Sequence, residues 1–207
     1  ASGGQRSVCF CFDERKETFA RRSSKLLPGT LEHLESGMLD VRQVDVGEWS
    51  PGEFTHQVMH AVENEGAKVV VIDSLTGYLQ AMASEARLTT QLHELLGYLN
   101  NAGVLSIMVL ASHGLFDDGA MEVDASYIAD TVVLMRHFEA VGTLRHCISV
   151  LKKRHGRHEK TIREIEICPP QGIQVGKPLT AFTGLLTGIP RYEGKQAHLL
   201  DASPQTP

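Results

Sequence analysis

Two apolar runs separated by a helical stripe constrain the fold of this chain more than any other feature. The runs cover residues 68–73 (KVVVID) and 104–111 (VLSIMVLA). Between them, leucines recur at the spacing of one helix face, at Leu88, Leu92, Leu95, Leu96 and Leu99. Continuous apolar strands are typical of the middle of a parallel sheet that is covered by helices on both sides. We therefore expect βαβ units and an α/β fold.

The first third of the chain continues this alternation. Residues 7–12 (SVCFCF) predict a buried strand, and a helix follows through about Leu27, before a proline and a glycine. A second short helix is expected over residues 30–36, and the alternating residues 39–46 predict a strand exposed on one side. Residues 50–53 (SPGE) supply a cap, a proline and a glutamate at the positions that begin a helix.

After Asp130 the pattern changes to strands joined by short polar turns. Residues 131–136, 144–153 and 161–167 predict strands that extend the sheet in antiparallel fashion. We expect one domain over residues 1–194 and a flexible tail over residues 195–207, which hold two prolines and no periodicity.

Composition excludes several protein classes. The 207 residues carry a net charge of −5, which argues against a protein that coats nucleic acid by bulk charge. No run of about 18 apolar residues occurs, so no membrane span is expected, and no signal segment opens the chain. The four cysteines form no C-x-x-C pair, and Cys9 and Cys11 share one strand face and are not expected to pair easily. Reduced thiols in a cytoplasmic protein are the prediction.

A carboxylate ends one apolar strand. Asp73 follows VVVI, and the carboxyl end of a parallel strand is where such folds bind ligands. There it could hold a hydrated Mg²⁺ against nucleotide phosphates. A purely structural aspartate at a strand end is the alternative.

A second strand ends in two adjacent acids, Asp13 and Glu14. Neighbouring carboxylates repel one another, so they favour a cation or a proton nearby, and a glutamate placed there could deprotonate a water for attack on a phosphate. In the alternative, Asp13 caps the following helix and Glu14 favours its positive end.

The densest basic stretch covers residues 152–160 (KKRHGRHEK). Lys152 and Arg154 are two apart, which would point both from one strand face, and His158 would follow on the turn. Such a group could bind phosphate. The alternative is a hairpin whose charges are simply solvated.

The order of these segments resembles the KaiC family of RecA-fold ATPases. It runs FDE, VVVIDS, GVLSIMVLAS, YIADTVVLMRHFE, VLKKRHGRHEKTIREIEI and GIQVGKPLTAFTGLLTGIPR. The resemblance covers residues 7–191, and its most specific parts are the K-x-R-x-x-x-H-E-K-x-x-R-E segment and the glycine-rich G-x-x-V-G-x-P-L ending. It implies a RecA-like, mostly parallel sheet flanked by helices, with a C-terminal antiparallel extension.

The resemblance also implies roles for individual residues, with ATP and Mg²⁺ as ligands. The acidic pair matches the family's catalytic pair of glutamates, in which Glu14 matches the base, while Asp13 departs from the other glutamate by being one methylene shorter. Asp73 matches the Walker B aspartate, which holds Mg²⁺ through water. The residues that match those reaching the nucleotide of the neighbouring subunit in a hexameric ring are Lys152, Arg154 and His158.

Autophosphorylation is a further implication of the resemblance. Ser126 falls near the position of a phosphorylated serine in the kinase-type repeat of the family. An ordinary surface serine is the alternative. A homo-oligomer and an unidentified signalling protein are the expected partners.

One element of the family is missing from the sequence. The 207 residues contain no G-x-x-x-x-G-K-[ST]. In the family this P-loop, with its strand and helix, precedes the strand that begins here at Ser7, so the chain resembles a family domain cut after the P-loop. Loss of that strand should leave a gap in the sheet with unpaired backbone groups and exposed apolar faces. We expect this chain alone to be inactive.

Three functions compete at this point. The first is an ATP-hydrolysing signalling domain, possible only with a P-loop, and the second is a non-catalytic RecA-like module that binds proteins. The third, DNA binding, is disfavoured because the segment 114–134 contains no Lys or Arg and an acidic loop repels phosphates. The acids of that loop include Asp117, Asp118, Glu122 and Asp124.

Overall fold

A computed structural model of the 207-residue chain describes residues 3–45, 47–81, 88–110, 129–186 and 190–193. The chain divides into two compact units. The first comprises residues 1–112 with 168–172, and the second comprises residues 113–167 with 173–207.

A four-stranded parallel sheet forms the centre of the first unit. Its strands, in the spatial order β2-β1-β3-β4, are β1 (Ser7–Cys11), β2 (Leu39–Gln43), β3 (Val69–Asp73) and β4 (Leu105–Val109). Every residue of β1 is buried, as its apolar sequence predicts. The α/β fold with a parallel sheet is thus confirmed.

Five helices accompany this sheet among the described residues. They are α1 (Lys16–Leu26), α2 (Thr30–Glu35), α3 (Pro51–Glu63), α4 (Leu75–Ala81) and α5 (Leu88–Asn101). The predicted start of α3 is confirmed, since the Ser50 hydroxyl accepts the backbone N–H of Glu53 at 3.1 Å. The leucine stripe of α5 is buried along its whole length. The sequence did not predict α4, which follows β3 after a single residue.

Four aromatic rings pack together behind the carboxyl end of β1. Phe54 of α3 lies with its ring centroid 5.3 Å from Phe10, 5.6 Å from Phe12 and 5.1 Å from Tyr78 of α4. Phe54 and Tyr78 are almost completely buried, and burial raises the pKa of Tyr78 to about 12. Because buried aromatic rings dominate core energetics, this cluster fixes α3 and α4 against the end of β1.

Strand β4 is the last strand of the described parallel sheet on one side. Among the described strands, β4 pairs with β3 alone. Leu105, Ile107 and Val109 are 59%, 43% and 40% exposed, although their sequence predicts a strand buried on both faces. The apolar sequence of β4 is therefore only partly used by contacts among the described residues.

An antiparallel sheet forms most of the second unit. Its strands, in spatial order, are β5 (Thr131–Ala140), β6 (Thr143–Lys153), β7 (Arg163–Cys168) and β8 (Gly172–Pro178). Val141 and Gly142 turn the chain between β5 and β6 with φ of 52° and 69°, the positive values that a two-residue hairpin requires. A small antiparallel pair, β9 (Phe182–Thr183) and β10 (Arg191–Tyr192), follows.

One face of this second sheet is covered. Phe138 and Ala140 of β5 and Cys147 of β6 form a buried cluster with Leu185. The predicted antiparallel strands are confirmed, but among the described residues they form a sheet of their own and do not continue the parallel one. Strand β5 is longer than predicted, and β8 was not predicted. None of the helices in the described ranges is long and apolar enough to cross a membrane.

Candidate functional site

The structure brings Asp73 to the same edge of the sheet as Asp13 and Glu14. Strands β1 and β3 are adjacent and in register, with Cys11 opposite Asp73, and the backbone N–H of Phe12 donates to the Asp73 carbonyl at 2.7 Å. The acidic pair therefore leaves β1 beside the end of β3. All three carboxylates line one open cleft of about 490 Å³, together with Thr18 and Arg22 of α1.

Asp13 is held by the junction between β3 and α4. The buried Ser74 hydroxyl donates to Asp13 Oδ2 at 2.7 Å and accepts the backbone N–H of Gly77 at 2.9 Å. Asp13 does not cap the next helix, because the residue at the cap position of α1 is Arg15, whose side chain makes no cap hydrogen bond. The capping alternative is therefore wrong for Asp13, whose carboxylate is tied to β3 instead.

Gly77 permits this arrangement by its lack of a side chain. A Cβ atom at this position would lie 2.7 Å from Phe12 Cβ and 3.0 and 3.1 Å from the two carboxylate oxygens of Asp13. Only glycine lets α4 approach the end of β1 this closely. Neither Ser74 nor Gly77 is predicted from the sequence, since their roles depend on contacts between distant segments.

Glu14 is bound by Arg22 through both carboxylate oxygens. Arg22 Nε donates to Oε1 at 3.1 Å and Arg22 Nη2 donates to Oε2 at 2.6 Å. This ion pair lowers the pKa of Glu14, so the carboxylate is ionised near neutral pH. Arg22 is likewise not among the residues predicted from the sequence. Its spacing could have indicated the contact. Glu14, Thr18 and Arg22 follow one another at intervals of four residues, so their side chains tend to face the same side.

Asp73 experiences the opposite electrostatic environment. Burial raises its pKa, the guanidinium of Arg22 opposes that rise, and the carboxylates of Asp13 and Glu14 add to it. A partly buried carboxylate next to two other acids is stabilised in its charged form by a cation.

The carboxylate oxygens at this edge of the sheet suit Mg²⁺, which nucleotide-binding sites hold with few protein ligands. Mg²⁺ usually takes one or two carboxylates and fills its remaining positions with water and phosphate oxygens. Nowhere in the described part of the chain do three His, Cys, Asp or Glu side chains group closely enough to hold a metal by themselves. An ion at Asp73 would therefore need ligands from water or a bound phosphate.

The predicted basic group lies in the second unit. Lys152 is near the end of β6, opposite Val132, whereas Arg154 lies beyond the last residue of that strand. Arg154 forms an ion pair with Asp130 at 2.9 Å, and its backbone N–H donates to the Asp130 carbonyl at 2.7 Å. Strand β6 ends at Lys153, so Arg154 follows the strand that carries Lys152, and one shared face for the two side chains stays a prediction. His158 is half-buried outside any helix or strand.

Several predicted features lie outside the described residues. They are the possible phosphorylation site Ser126, the acidic segment with Asp117, Asp118, Glu122 and Asp124, and the expected tail over residues 195–207.

The chain is similar in sequence to a known protein family and to several known proteins. A sequence profile described as "ATPase: KaiC" matches residues 2–180. The circadian clock protein KaiC3 of a Synechocystis species is 45% identical over 76 residues, which cover 36% of this chain and 15% of that protein. The circadian clock oscillator proteins KaiC of Acaryochloris marina and Thermostichus vulcanus are 21% and 24% identical over 195 and 199 residues.

Those two alignments cover 90% of this chain but 36% of each relative, so the chain spans about a third of their length. The profile match extends over the parallel sheet with its acidic cleft and over all four strands of the antiparallel sheet. Because it covers far more than half of the sequence, this chain belongs to the KaiC family of ATPases.

Proposed function

We propose that this chain is the larger part of an ATP-binding and ATP-hydrolysing signalling domain. The observation that carries the proposal is the convergence of Asp13, Glu14 and Asp73 at the carboxyl ends of two adjacent parallel strands. In open α/β sheets, that edge is where ligands bind.

Glu14 is the proposed base for the attacking water. Its lowered pKa keeps it ionised, and Arg22 fixes the plane of its carboxylate. Each carboxylate oxygen can accept more than one hydrogen bond, so a water can donate to Glu14 while Arg22 stays in place. Glu14 would then take the proton of that water as it attacks the terminal phosphate.

Asp73 is the proposed residue for Mg²⁺, which it would hold through water. When bound, Mg²⁺ would neutralise charge on the phosphate oxygens. Asp13, fixed by Ser74, adds negative charge beside Asp73 and so strengthens the attraction of the site for a cation.

Lys152, Arg154 and His158 are proposed to act on the nucleotide of a neighbouring subunit in a hexameric ring. A cation supplied from the next subunit would stabilise charge in the transition state. Arg154 already pairs with a carboxylate, that of Asp130, so nucleotide phosphates would have to replace that partner. Autophosphorylation at Ser126 is a finer proposal that depends on the same active ring.

A non-catalytic protein-binding module is the competing function. One observation favours it, namely that the 207 residues contain no G-x-x-x-x-G-K-[ST]. The backbone amides and the lysine of a P-loop make most of the contacts that bind the phosphates in such enzymes. Without them, the acidic cleft would leave the phosphates of ATP largely unbound.

Calorimetric titration with Mg·ATP distinguishes the two functions. We expect the 207-residue chain to bind Mg·ATP with at best millimolar affinity and to hydrolyse no ATP. A version in which a KaiC-type P-loop segment precedes residue 1 should bind far more tightly and hydrolyse ATP. Micromolar binding by the 207 residues alone would refute the P-loop requirement. A correctly folded extended version that neither binds nor hydrolyses would favour the interaction module.

A further inference from the structure

Two histidines face each other across the hairpin that β5 and β6 form. His137 of β5 is the register partner of His146 of β6, and the centres of their imidazole rings are 4.5 Å apart. The ring planes are inclined at 58°, so the rings are not stacked face to face. His137 is exposed and His146 is half-buried. The pair is therefore open to a ligand from solvent.

The turn of the hairpin determines the type of this cross-strand pair. Ala140 and Thr143 flank the two-residue turn, so they form the hydrogen-bonded pair that closes it. The register is regular from there to the histidines, and hydrogen-bonded and non-hydrogen-bonded pairs alternate along an antiparallel ladder. By that alternation, His137 and His146 form a non-hydrogen-bonded pair. In such a pair the Cα atoms are about 4.5 Å apart and the side chains approach most closely.

Two imidazoles at this separation match the spacing of two ligands on one metal ion. A His nitrogen lies about 2.0–2.1 Å from a bound transition metal and about 1.2 Å from the centre of its own ring. Two histidines at adjacent positions of one ion therefore have ring centres about 4.5 Å apart for a right angle at the metal and about 5.2 Å apart for a tetrahedral angle. The observed 4.5 Å matches the first value. Because χ2 of histidine has broad energy wells, each ring can turn a nitrogen toward a common ion while the strands stay in place.

The residues that flank the histidine pair on its own face of β5 and β6 carry no positive charge. Two lie toward each end of the strands, and they are Met135, Ile148, Glu139 and Leu144. Arg136 and Arg145 are next to the histidines in sequence and therefore point to the opposite face. The carboxylate of Glu139 favours a cation on this face.

Strand β7 adds one cation to the same face. Arg163 is the register partner of Ile148 in the neighbouring strand β6. Its guanidinium is bound to the carboxylate of Glu159 at 2.7 Å and donates to the Gly176 carbonyl at 3.0 Å. Because a carboxylate already balances this charge, Arg163 opposes a metal ion at the histidines only weakly.

We propose that His137 and His146 form a binding site for a divalent transition-metal ion of the kind that imidazole prefers, namely Ni²⁺, Cu²⁺ or Zn²⁺. The two imidazoles supply two ligands. Water fills the remaining positions, since no group of three His, Cys, Asp or Glu side chains in the described ranges is placed to hold a metal. Mg²⁺ takes oxygen ligands and should not bind here. The site therefore differs in its chemistry from the acidic cleft and does not depend on the proposed function.

A metal ion at this position would join two strands of the antiparallel sheet. Strand β5 is an outer strand of that sheet as described, and an ion bound to both histidines would cross-link it to β6. A ligand that binds only the folded state stabilises that state. We therefore expect saturating metal to raise the midpoint of thermal unfolding and to slow amide hydrogen exchange in β5 and β6.

Titration of the 207-residue chain with Ni²⁺, followed by calorimetry and NMR, tests the proposal. Six-coordinate Ni²⁺ is paramagnetic and broadens the signals of nearby nuclei, so the imidazole signals of His137 and His146 should broaden together as the ion binds. His137→Gln and His146→Gln should each weaken binding about tenfold or more, because the second ligand of a chelate acts at high effective concentration. The double variant should lose little more affinity than either single variant, since one change already ends chelation.

Two controls accompany the titration. His93→Gln removes an exposed histidine of α5 and should leave the affinity for Ni²⁺ unchanged. Mg²⁺ at the same concentration should shift neither the signals of His137 and His146 nor the midpoint of thermal unfolding. Circular dichroism without metal checks that each variant is folded, and the NMR titration of the wild-type chain tests the site without any variant.

Helix α3 offers a competing pair of histidines. His56 and His60 are four residues apart, a spacing that places side chains on one helix face, but His60 Nδ1 lies 3.1 Å from Glu65 Oε1. The proposal is overturned if saturating Ni²⁺ leaves the signals of His137 and His146 sharp, whether or not it broadens those of α3. An affinity that neither His137→Gln nor His146→Gln lowers would also overturn it, as would the absence of Ni²⁺ binding.

Discussion

Arg22 fixes Glu14 from the second turn of α1, through two hydrogen bonds that engage both carboxylate oxygens. The pair is partly exposed, with 53% of the Arg22 side chain and 22% of the Glu14 side chain accessible. Its contribution to folding is therefore small, at most about 1 kcal/mol. Its main effect is on the orientation and charge of the proposed base.

Arg22→Gln should raise the pKa of Glu14 toward its ordinary value of 4.5 and further raise that of Asp73, because the variant removes a neighbouring positive charge. Since the folded-state pKa of Glu14 is lowered, its stabilising contribution is complete above pH 4.5 and is lost as pH falls through the lower, folded value. Carboxyl NMR titration measures both pKa values. Arg21→Gln, on the same helix and in no ion pair of the described residues, should leave them unchanged.

Gly77→Ala should destabilise the chain by roughly 1–3 kcal/mol, because the new Cβ would collide with Phe12 and crowd Asp13. Urea denaturation measures this loss. Gly97→Ala is the matched control, since a Cβ there meets nothing within 4 Å in the helix α5. That control should stabilise the chain by about 0.5–1 kcal/mol through helix propensity. Equal effects of the two variants would show that the approach at Gly77 is unimportant.

The sequence predicted the site carboxylates because they follow a general rule of parallel sheets. Asp73 and the acidic pair end apolar strands, and adjacent parallel strands bring their carboxyl ends together. Ser74 was beyond such reasoning, because its partner Asp13 is 61 residues away in sequence. Gly77 matters only through the contact of α4 with Phe12, which no local pattern encodes.

The fold could be predicted for a similar reason, and the prediction failed where a segment depends on tertiary contacts. The leucine stripe of α5 and the apolar run of β1 report burial directly, and both lie where predicted. The apolar run of β4 also predicted burial, but among the described strands it pairs with β3 alone, and three of its apolar side chains are exposed. A hydrophobic pattern records what a strand is suited to contact and leaves unspecified which segment makes the contact. The short helix α4 has no stripe and depends on its tertiary contacts.

A subunit-mixing experiment tests the proposed action of Arg154 across a subunit boundary. In a P-loop-containing version, Arg154→Ala should depress hydrolysis while changing stability by less than about 1 kcal/mol, since its ion pair with Asp130 is exposed. Mixed with Glu14→Gln subunits, it should regain activity, because some interfaces then combine an intact Glu14 with an intact Arg154. Failure to regain activity at any mixing ratio would indicate action within one subunit.

The proposed roles of the two carboxylates are tested most sharply by comparing Glu14→Gln with Asp73→Asn in the P-loop-containing version. ATP hydrolysis and Mg·ATP binding are measured for each variant. Glu14→Gln should lose nearly all ATP hydrolysis and keep its affinity for Mg·ATP, because the variant removes the base and leaves the phosphate-binding contacts intact. Asp73→Asn should weaken the Mg²⁺-dependent part of binding itself. Hydrolysis at the unaltered rate by Glu14→Gln would contradict the assignment of the base, and with it the proposed hydrolytic role of the acidic cleft.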